Sequence, residues 1–255
     1  MPTDPAPPHP RRRWPWVLAL AASAVGALLG LREAGLLVLP PRHDPFAPLD
    51  VAEAPNWLTP LKLRRTRADP AACRAALQQA GLRFDAVPDR PLQHGCGFEN
   101  AVRLRAGREV ALSAPTLLSC PAALSFALWE RHELQPLARQ HFGRPAASVQ
   151  HLGSYACRDI NSGDGRATGR RSRHATADAL DVAGVTLEGG RMLVLRRDAA
   201  RPWSDGRGAT DPVQAFFFDL HAGACRSFDG VLGPGYNAVH ADHFHLEVGG
   251  WPMCR

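Results

Sequence analysis

The stretch that decides the fold lies near the end of the chain, where residues 240–248 read HADHFHLEV. From His243 onward polar and apolar residues alternate, and the side chains of a β-strand point alternately to its two faces. The pattern therefore predicts a strand with one apolar face and one face that carries His243 and His245. A polar face directed into the protein requires a function, and two imidazoles on one face can reach a common site.

A second stretch, residues 172–182, offers the other donors of a metal site. His174 ends a loop rich in Gly and Arg, and Asp181 stands between two apolar residues of a strand-like segment. An ionised carboxylate in apolar surroundings is costly to bury unless it is paired or binds a cation, which favours Asp181 over Asp178. Catalytic zinc takes three protein ligands and keeps one position open, so His174, Asp181 and His245 are the candidate ligands. Two His and one Asp suit zinc, although the residues alone leave another divalent ion open.

Composition limits the class of protein. With 255 residues, 45% of them apolar, the chain has room for one ordinary domain with appendages and is not disordered as a whole. The formal net charge of +6 suits the approach to an anionic polymer such as a cell wall. The sequence has only 2 Tyr and no dense basic stripe with interleaved aromatic residues, which argues against nucleic acid as a partner.

The amino-terminal segment predicts attachment to a membrane. Residues 1–13 are rich in Pro and end in three consecutive Arg, after which the chain is uncharged and largely apolar up to Leu31. Charge followed by apolarity is the pattern of a secretory signal or a signal anchor, and we favour the uncleaved anchor. The positive-inside rule then predicts a cytoplasmic tail at 1–13 and a single transmembrane helix at 14–39. On this interpretation the protein lies in the inner membrane with its carboxyl-terminal domain in the periplasm.

Cysteine usage agrees with an oxidising compartment. All six cysteines follow the apolar segment, their number is even, and no two have CxxC spacing, so disulfides are expected rather than a zinc–thiolate site. Six cysteines allow about fifteen connectivities, among which the sequence does not choose. The residues concerned are Cys73, Cys96, Cys120, Cys157, Cys225 and Cys254.

Local patterns predict an α+β domain over residues 71–255, preceded by a linker at 40–70. Asp69 as N-cap and Gly81 as stop delimit one helix, and Gly143 ends another. Short β-prone segments separated by glycine-rich turns indicate a small, mostly antiparallel sheet with flanking helices. The expected helices are 71–80, 120–142 and 212–225, and the expected strands are 102–104, 110–112, 149–155, 180–185, 192–195 and 243–248.

Several stretches together resemble a known family. The order His174, Asp181, then the terminal HxxHxH resembles the LAS-type zinc peptidases, which include murein endopeptidases, D-Ala-D-Ala carboxypeptidases and the hedgehog signalling domain. More closely, about residues 70–255 resemble the bacterial extensin-like C-terminal domain family. The matching segments are GSYACR at 153–158, ALDVAG at 179–184, VLGPGYN at 231–237 and DHFHL at 242–246.

This resemblance implies an LAS/hedgehog-type fold and a role for each site residue. His174, Asp181 and His245 would bind Zn²⁺, with water in the fourth position. Arg158 would stabilise the developing oxyanion, and His240 corresponds to a further active-site histidine of the murein endopeptidases.

The identity of the general base has two candidates. The resemblance implies that His243 takes or orients the proton of the water, whereas Asp242 stands where the carboxypeptidase branch has its glutamate base. On a straight strand from 242 to 248, Asp242 points away from the metal and His243 towards it, which favours His243. The sequence departs from the related peptidases at Ala177, where glycine is usual. Glu247 has two interpretations, a residue that supports an imidazole or a surface charge.

The expected function is a zinc-dependent peptidase or amidase that acts on peptidoglycan peptides. A catalytically inactive, metal-stabilised module that binds the cell wall is an alternative, because a fold can be kept while turnover is lost. A structural envelope protein with disulfides and no metal is a further alternative, although it leaves the ligand pattern unexplained.

Overall fold

The computed structural model describes residues 14–163, 166, 168–195 and 211–255, in two units, Met1–Asp44 and Pro45–Arg255. In the first unit a helix, α1, spans Trp14–Glu33. Among the described residues, no helix combines the length and the apolarity that crossing a bilayer requires, so the membrane span predicted at 14–39 is not supported. The predicted cytoplasmic tail at 1–13 lies outside the described residues.

The second unit includes part of the stretch assigned to a linker. Residues 45–68 supply Leu49, Val51 and Leu63 to the hydrophobic core and form helix α2 (Thr59–Ala68). Near the end of α2, Arg67 lies 3.1 Å from a carboxylate oxygen of Asp229. The compact unit therefore begins about 25 residues before the first predicted helix, at Pro45.

The helices of this unit begin at the residues that the capping patterns indicate. The Asp69 side chain accepts the N–H of Ala71 at 2.9 Å, and Asp211 accepts that of Val213 at 2.9 Å, each just before a Pro in the first turn. Gly143 ends a helix with a φ of +67°, a left-handed conformation that glycine adopts without strain. The helices are α3 (Pro70–Gln79), α4 (Cys120–Trp129), α5 (Gln135–Phe142) and α6 (Pro212–Ala224).

One mostly antiparallel sheet runs through the unit. Within the described residues nine strands join it in the order β1-β4-β5-β6-β7-β10-β9-β11, with β8 also paired to β7, while β2 and β3 form a separate hairpin. The pairs β5–β6 and β9–β11 are parallel. The α+β class with flanking helices is thereby confirmed. The strands are β1 (Arg83–Ala86), β2 (Arg90–Gln93), β3 (Cys96–Phe98), β4 (Ala101–Ala106), β5 (Ala111–Ser119), β6 (Ala146–Gly153), β7 (Ala179–Leu187), β8 (Met192–Val194), β9 (Gly230–Leu232), β10 (Phe244–Glu247) and β11 (Met253–Cys254).

The helix predicted over 120–142 is present but contains a π turn, Glu130–Leu134, between α4 and α5. Pro136, near the start of α5, lacks an N–H, and its ring crowds the carbonyl four residues earlier, which a wider turn accommodates. The buried carboxylate of Glu130 accepts main-chain N–H groups of residues 108–110. The turn therefore also closes the loop between β4 and β5.

Apolar faces and disulfides hold the unit together. Phe217 of α6 meets Phe244 of β10 edge to face, with ring centroids 6.2 Å apart, so the helix covers one face of the sheet. The prediction that the cysteines form disulfides is confirmed, and the structure supplies the connectivity. The pairs are Cys73–Cys120, Cys96–Cys157 and Cys225–Cys254.

Candidate metal centre

The register of two neighbouring strands places the first two candidate ligands side by side. Strands β7 and β10 are antiparallel, and Asp181 lies directly opposite His245. Their neighbours Leu180 and Leu246 are at most 1% exposed and belong to the core. Because side chains alternate along each strand, Asp181 and His245 both point to the opposite face of the sheet.

His174 reaches the same place from a 3₁₀ turn, Arg173–Thr176. The side chain of Ser172 caps this turn by accepting the N–H of His174. The His174 ring is buried, and its Nδ1 donates to the main-chain carbonyl of Ser154. A carbonyl oxygen can only accept, so the proton is on Nδ1 and the lone pair of Nε2 faces the strands.

The three candidate ligands converge. Nε2 of His174 lies 3.2 Å from Oδ1 of Asp181 and 3.1 Å from Nδ1 of His245. Nδ1 of His245 lies 2.9 Å from the same carboxylate oxygen. One donor atom from each residue lies within 4.8 Å of the others, the spacing that a single ion would bridge.

The charges at this point are strongly coupled. Burial alone would raise the pKa of Asp181, but hydrogen bonds with His174 and His245 outweigh it and hold that pKa well below its usual range. Burial alone would lower the pKa of His245, yet its bonds with Asp181 and Glu247 raise it to about 9. In the metal-free chain, Nδ1 of His245 therefore keeps its proton at neutral pH and donates a hydrogen bond to Oδ1 of Asp181, and a bound cation would replace this proton.

The chemistry of the donor set fits a divalent cation. Nε2 of His174, the Asp181 carboxylate and the deprotonated Nδ1 of His245 all offer lone pairs to one point. Acceptors that face each other in a buried site need a proton or a metal between them. Two imidazoles and one carboxylate form a donor set of the kind found at catalytic zinc.

His243 and Asp242 lie beside this centre. They precede β10 rather than belonging to it, but the direction expected for His243 is the one observed, with its Nε2 3.7 Å from Oδ1 of Asp181. Asp242 Oδ1 lies 2.9 Å from Nδ1 of His243 and accepts a hydrogen bond from its N–H. Asp242 is thus placed to orient His243, whose Nε2 lone pair faces the centre.

His240 completes a cluster of imidazoles. It ends a 3₁₀ turn, Ala238–His240, and its ring centroid lies 5.4 Å from that of His243 and 5.8 Å from that of His245. Burial, followed by the charges of His245 and His243, lowers the pKa of His240 to about 4, so the ring is neutral at pH 7.

The centre lies in a cleft of about 640 Å³. Arg158 is exposed on its wall, and its guanidinium donates only weakly, at 3.4 Å, to the carbonyl of Asp159. The structure therefore brings Asp181, His245, His243, His240 and Arg158 into one cleft. His174 is buried against Asp181 and His245, and Asp242 lies behind His243. Asp178, the disfavoured carboxylate, accepts a bond from Thr176 at 2.6 Å and does not line the cleft.

Ala177 occupies a left-handed conformation with φ +58° and ψ +21°. Glycine adopts this conformation without the contact between Cβ and backbone that other residues incur. Ala177 nevertheless keeps the turn intact, because its carbonyl accepts the N–H of Ser119 at 2.8 Å. The turn that carries His174 thus forms with alanine at this position.

Some residues of the cleft were not among the predicted site residues. Glu247 contacts His245 directly, with 2.9 Å between Oε2 and Nε2, and its position two residues further along the same strand face is the signal that identifies it. Tyr236 and Trp251 line the cleft and are 44% and 82% exposed. The carbonyl of Ser154 has no sequence signal, because any residue supplies one.

Comparison with known proteins places the chain in a family. The model of the family described as extensin-like protein C-terminus matches residues 71–255, and the chain belongs to this family. No curated protein and no solved structure matches the chain significantly.

Proposed function

We propose that this member of the extensin-like family is a zinc-dependent peptidase or amidase acting on peptidoglycan peptides, with an active site of the LAS type. The observation that carries the proposal is the convergence of three lone-pair donors, from His174, Asp181 and His245, at a cleft that is lined by Asp181, His245 and His243. A purely structural cleft has no need of such a donor set.

Zinc would be held by Nε2 of His174, the Asp181 carboxylate and Nδ1 of His245. Bound in this way it supplies an open coordination position and lowers the pKa of a water molecule there towards neutrality. Oδ1 of Asp181 also lies 3.7 Å from Nε2 of His243, so the proposed base is next to one of the proposed ligands.

His243 is the proposed general base, and Asp242 positions it. The bond from His243 Nδ1 to Asp242 leaves Nε2 free to accept a proton from the attacking water. The same bond stabilises the imidazolium that forms, as a carboxylate does for the histidine of a catalytic triad. Asp242 contacts His243 at Nδ1, not at the Nε2 that lies near Asp181, and it does not line the cleft, which argues against its acting as the base.

Arg158 and His240 complete the cleft chemically. The exposed guanidinium of Arg158 is available to stabilise the negative charge that develops on the carbonyl oxygen of a scissile amide. His240 is neutral at pH 7, so it can donate or accept one hydrogen bond without adding charge.

The cleft and the disulfides suit the cell envelope. Arg158, Arg170, Arg171 and Arg173 line the cleft, which favours an anionic substrate such as a peptide with free carboxylates. Disulfides that pair all six cysteines are typical of an oxidising compartment, which supports a periplasmic domain. Attachment to the inner membrane through the amino-terminal segment stays a prediction.

Metal content and digestion of purified peptidoglycan test the proposal. We expect one zinc per purified full-length chain, lost in His245→Ala and Asp181→Ala but kept in the control His151→Ala, whose imidazole bonds to Ala114 instead. Removal of the metal with a chelator should abolish the release of new amino groups from peptidoglycan, and added zinc should restore it.

His243→Ala separates binding from turnover. This variant should keep its zinc and lose about 10²- to 10⁴-fold in rate, the usual contribution of a general base. Zinc in the wild type without any cleavage would leave the alternative, a metal-stabilised binding module, in its place. A wild type without zinc that still folds would refute the hydrolase.

A further inference from the structure

The contact of Glu247 with His245 determines which nitrogen of His245 is free. Oε2 of Glu247 lies 2.9 Å from Nε2 of His245, and the glutamate side chain is 19% exposed. An ionised carboxylate only accepts hydrogen bonds, so Nε2 must carry a proton. Nδ1 is then the only nitrogen of this ring that can offer a lone pair to a cation bound between His245, Asp181 and His174.

Two glycines make room for this carboxylate. Gly230 is the cross-strand partner of Glu247 on β9, and a Cβ there would lie 2.6 Å from Cγ and 2.9 Å from Oε1 of Glu247. A Cβ at Gly250 would collide with Oε1 as well. Neither glycine has a positive φ, so space and not backbone conformation is the reason that a larger residue does not fit.

Charge balance favours the same arrangement. The candidate zinc site has two neutral imidazoles and one carboxylate, which leaves a dication with one uncompensated positive charge. Glu247, one imidazole away, supplies the second negative charge without occupying a ligand position. A carboxylate behind a ligating histidine also makes that histidine more basic.

We propose that Glu247 is a positioning residue that holds the ring of His245 with Nδ1 towards the metal, in a slot formed by Gly230 and Gly250. This inference rests on the zinc site of the proposed function. Without Glu247 the ring can rotate or carry its proton on Nδ1, and zinc binding must then overcome both changes. Zinc affinity therefore depends on a residue that does not touch the ion.

The test measures zinc affinity of the full-length protein, by competition with a chromophoric chelator at neutral pH. We expect Glu247→Leu to weaken zinc binding about 10- to 100-fold, the usual effect of losing the partner of a ligating histidine. Glu247→Gln keeps an oxygen that accepts from Nε2 and should lose less. Gly250→Ala should resemble Glu247→Leu, because it displaces a glutamate that is still present.

A matched control and a spectrum separate positioning from general stabilisation. Glu188→Gln removes an exposed carboxylate next to β7 and should leave zinc affinity unchanged. The visible spectrum of the cobalt-substituted protein reports ligand geometry, and it should change in Glu247→Leu and Gly250→Ala but not in the control. Circular dichroism of the metal-free variants shows whether they fold. If Glu247→Leu does not fold, the two separate variants Glu247→Gln and Gly250→Ala provide the test.

The outcomes distinguish this inference from the proposed function. Wild-type zinc affinity and an unchanged cobalt spectrum in folded Glu247→Leu and Gly250→Ala would overturn the positioning role and leave the hydrolase untouched. A wild type that binds zinc but never cleaves peptidoglycan would end the hydrolase proposal. Weakened zinc binding in Glu247→Leu and Gly250→Ala would still uphold the role of Glu247. A wild type that binds no zinc would overturn both.

Discussion

Opening the disulfide between Cys96 and Cys157 should destabilise the protein without dismantling the metal centre. The bridge ties β3 to the segment that carries Arg158 and closes a loop with a sequence separation of 61. In the chain-entropy description, a loop of that length limits the unfolded state enough to stabilise the fold by about 4 kcal/mol. This figure is an upper bound, because Cys96 lies inside the loop closed by Cys73–Cys120, which already restricts the unfolded chain.

Guanidinium unfolding of wild type and of the double variant Cys96→Ser/Cys157→Ser measures this effect. Cys157 is exposed, so the substitution there removes little packing. Cys96 is buried, but Ser is close to Cys in size, so the loss of free energy should still come chiefly from the unfolded state. We expect a loss of about 2–4 kcal/mol. Zinc content in native buffer should be unchanged, since the ligands belong to the Arg173–Thr176 turn, β7 and β10.

The single variant Cys157→Ser is the internal check. It opens the same loop and should lose the same free energy as the double variant, within about 0.5 kcal/mol. A loss below about 1 kcal/mol in both would refute the loop-entropy reasoning. A larger loss accompanied by loss of zinc would show that the bridge shapes the centre itself.

Two further predictions concern the scaffold. Ala177→Gly should change the free energy of unfolding by less than about 1 kcal/mol. Relief of the left-handed conformation stabilises this variant, but the loss of a buried methyl group and the greater freedom of glycine in the unfolded chain offset that gain. Ala177→Val should lower the free energy of unfolding by more than about 2 kcal/mol. Burial lowers the pKa of His221 below its ordinary 6.5, so the unfolded chain binds the proton more readily. The associated stability is complete above pH 6.5 and is lost as the pH falls towards the folded-state pKa. The free energy of unfolding should therefore rise with pH more steeply in wild type than in His221→Gln.

Denaturation at several pH values checks both. Equal stability of the Gly and Val variants at 177 would contradict the left-handed geometry of the turn. Parallel pH profiles of wild type and His221→Gln would show that this ring does not lose its proton on folding.

Several structural features could be predicted because they depend on neighbouring residues. The helix start at Asp69 and the helix end at Gly143 follow from capping chemistry, in which one side chain or one glycine satisfies the nearest main-chain groups. The strand at the end of the chain follows from alternation, and the pairing of the cysteines into disulfides from their even number and their position. The capping and alternation patterns involve only a few neighbouring residues, and the disulfides are indicated by the number of cysteines. None of these predictions needs to know which distant segments meet.

Only part of the candidate site could be predicted from the sequence. A buried carboxylate between apolar residues identified Asp181, and the imidazoles of the last strand identified His243 and His245. For Glu247 the sequence left two interpretations open, support of an imidazole or a surface charge, because the choice depends on the register that places Gly230 opposite it and on Gly250 folding back over it. A glutamate in an alternating strand has the same pattern whether it faces solvent or a slot.

By itself, the sequence determined the class of the domain, the chemistry of the donor atoms and the presence of disulfides, because these depend on residue type and short-range spacing. Only the tertiary structure decided the cysteine connectivity, the start of the compact unit at Pro45 and the direction of each ring nitrogen. Those features depend on which distant segments meet. The register of β7 against β10, set by packing Leu180 and Leu246 into one core, is what brings Asp181 to His245.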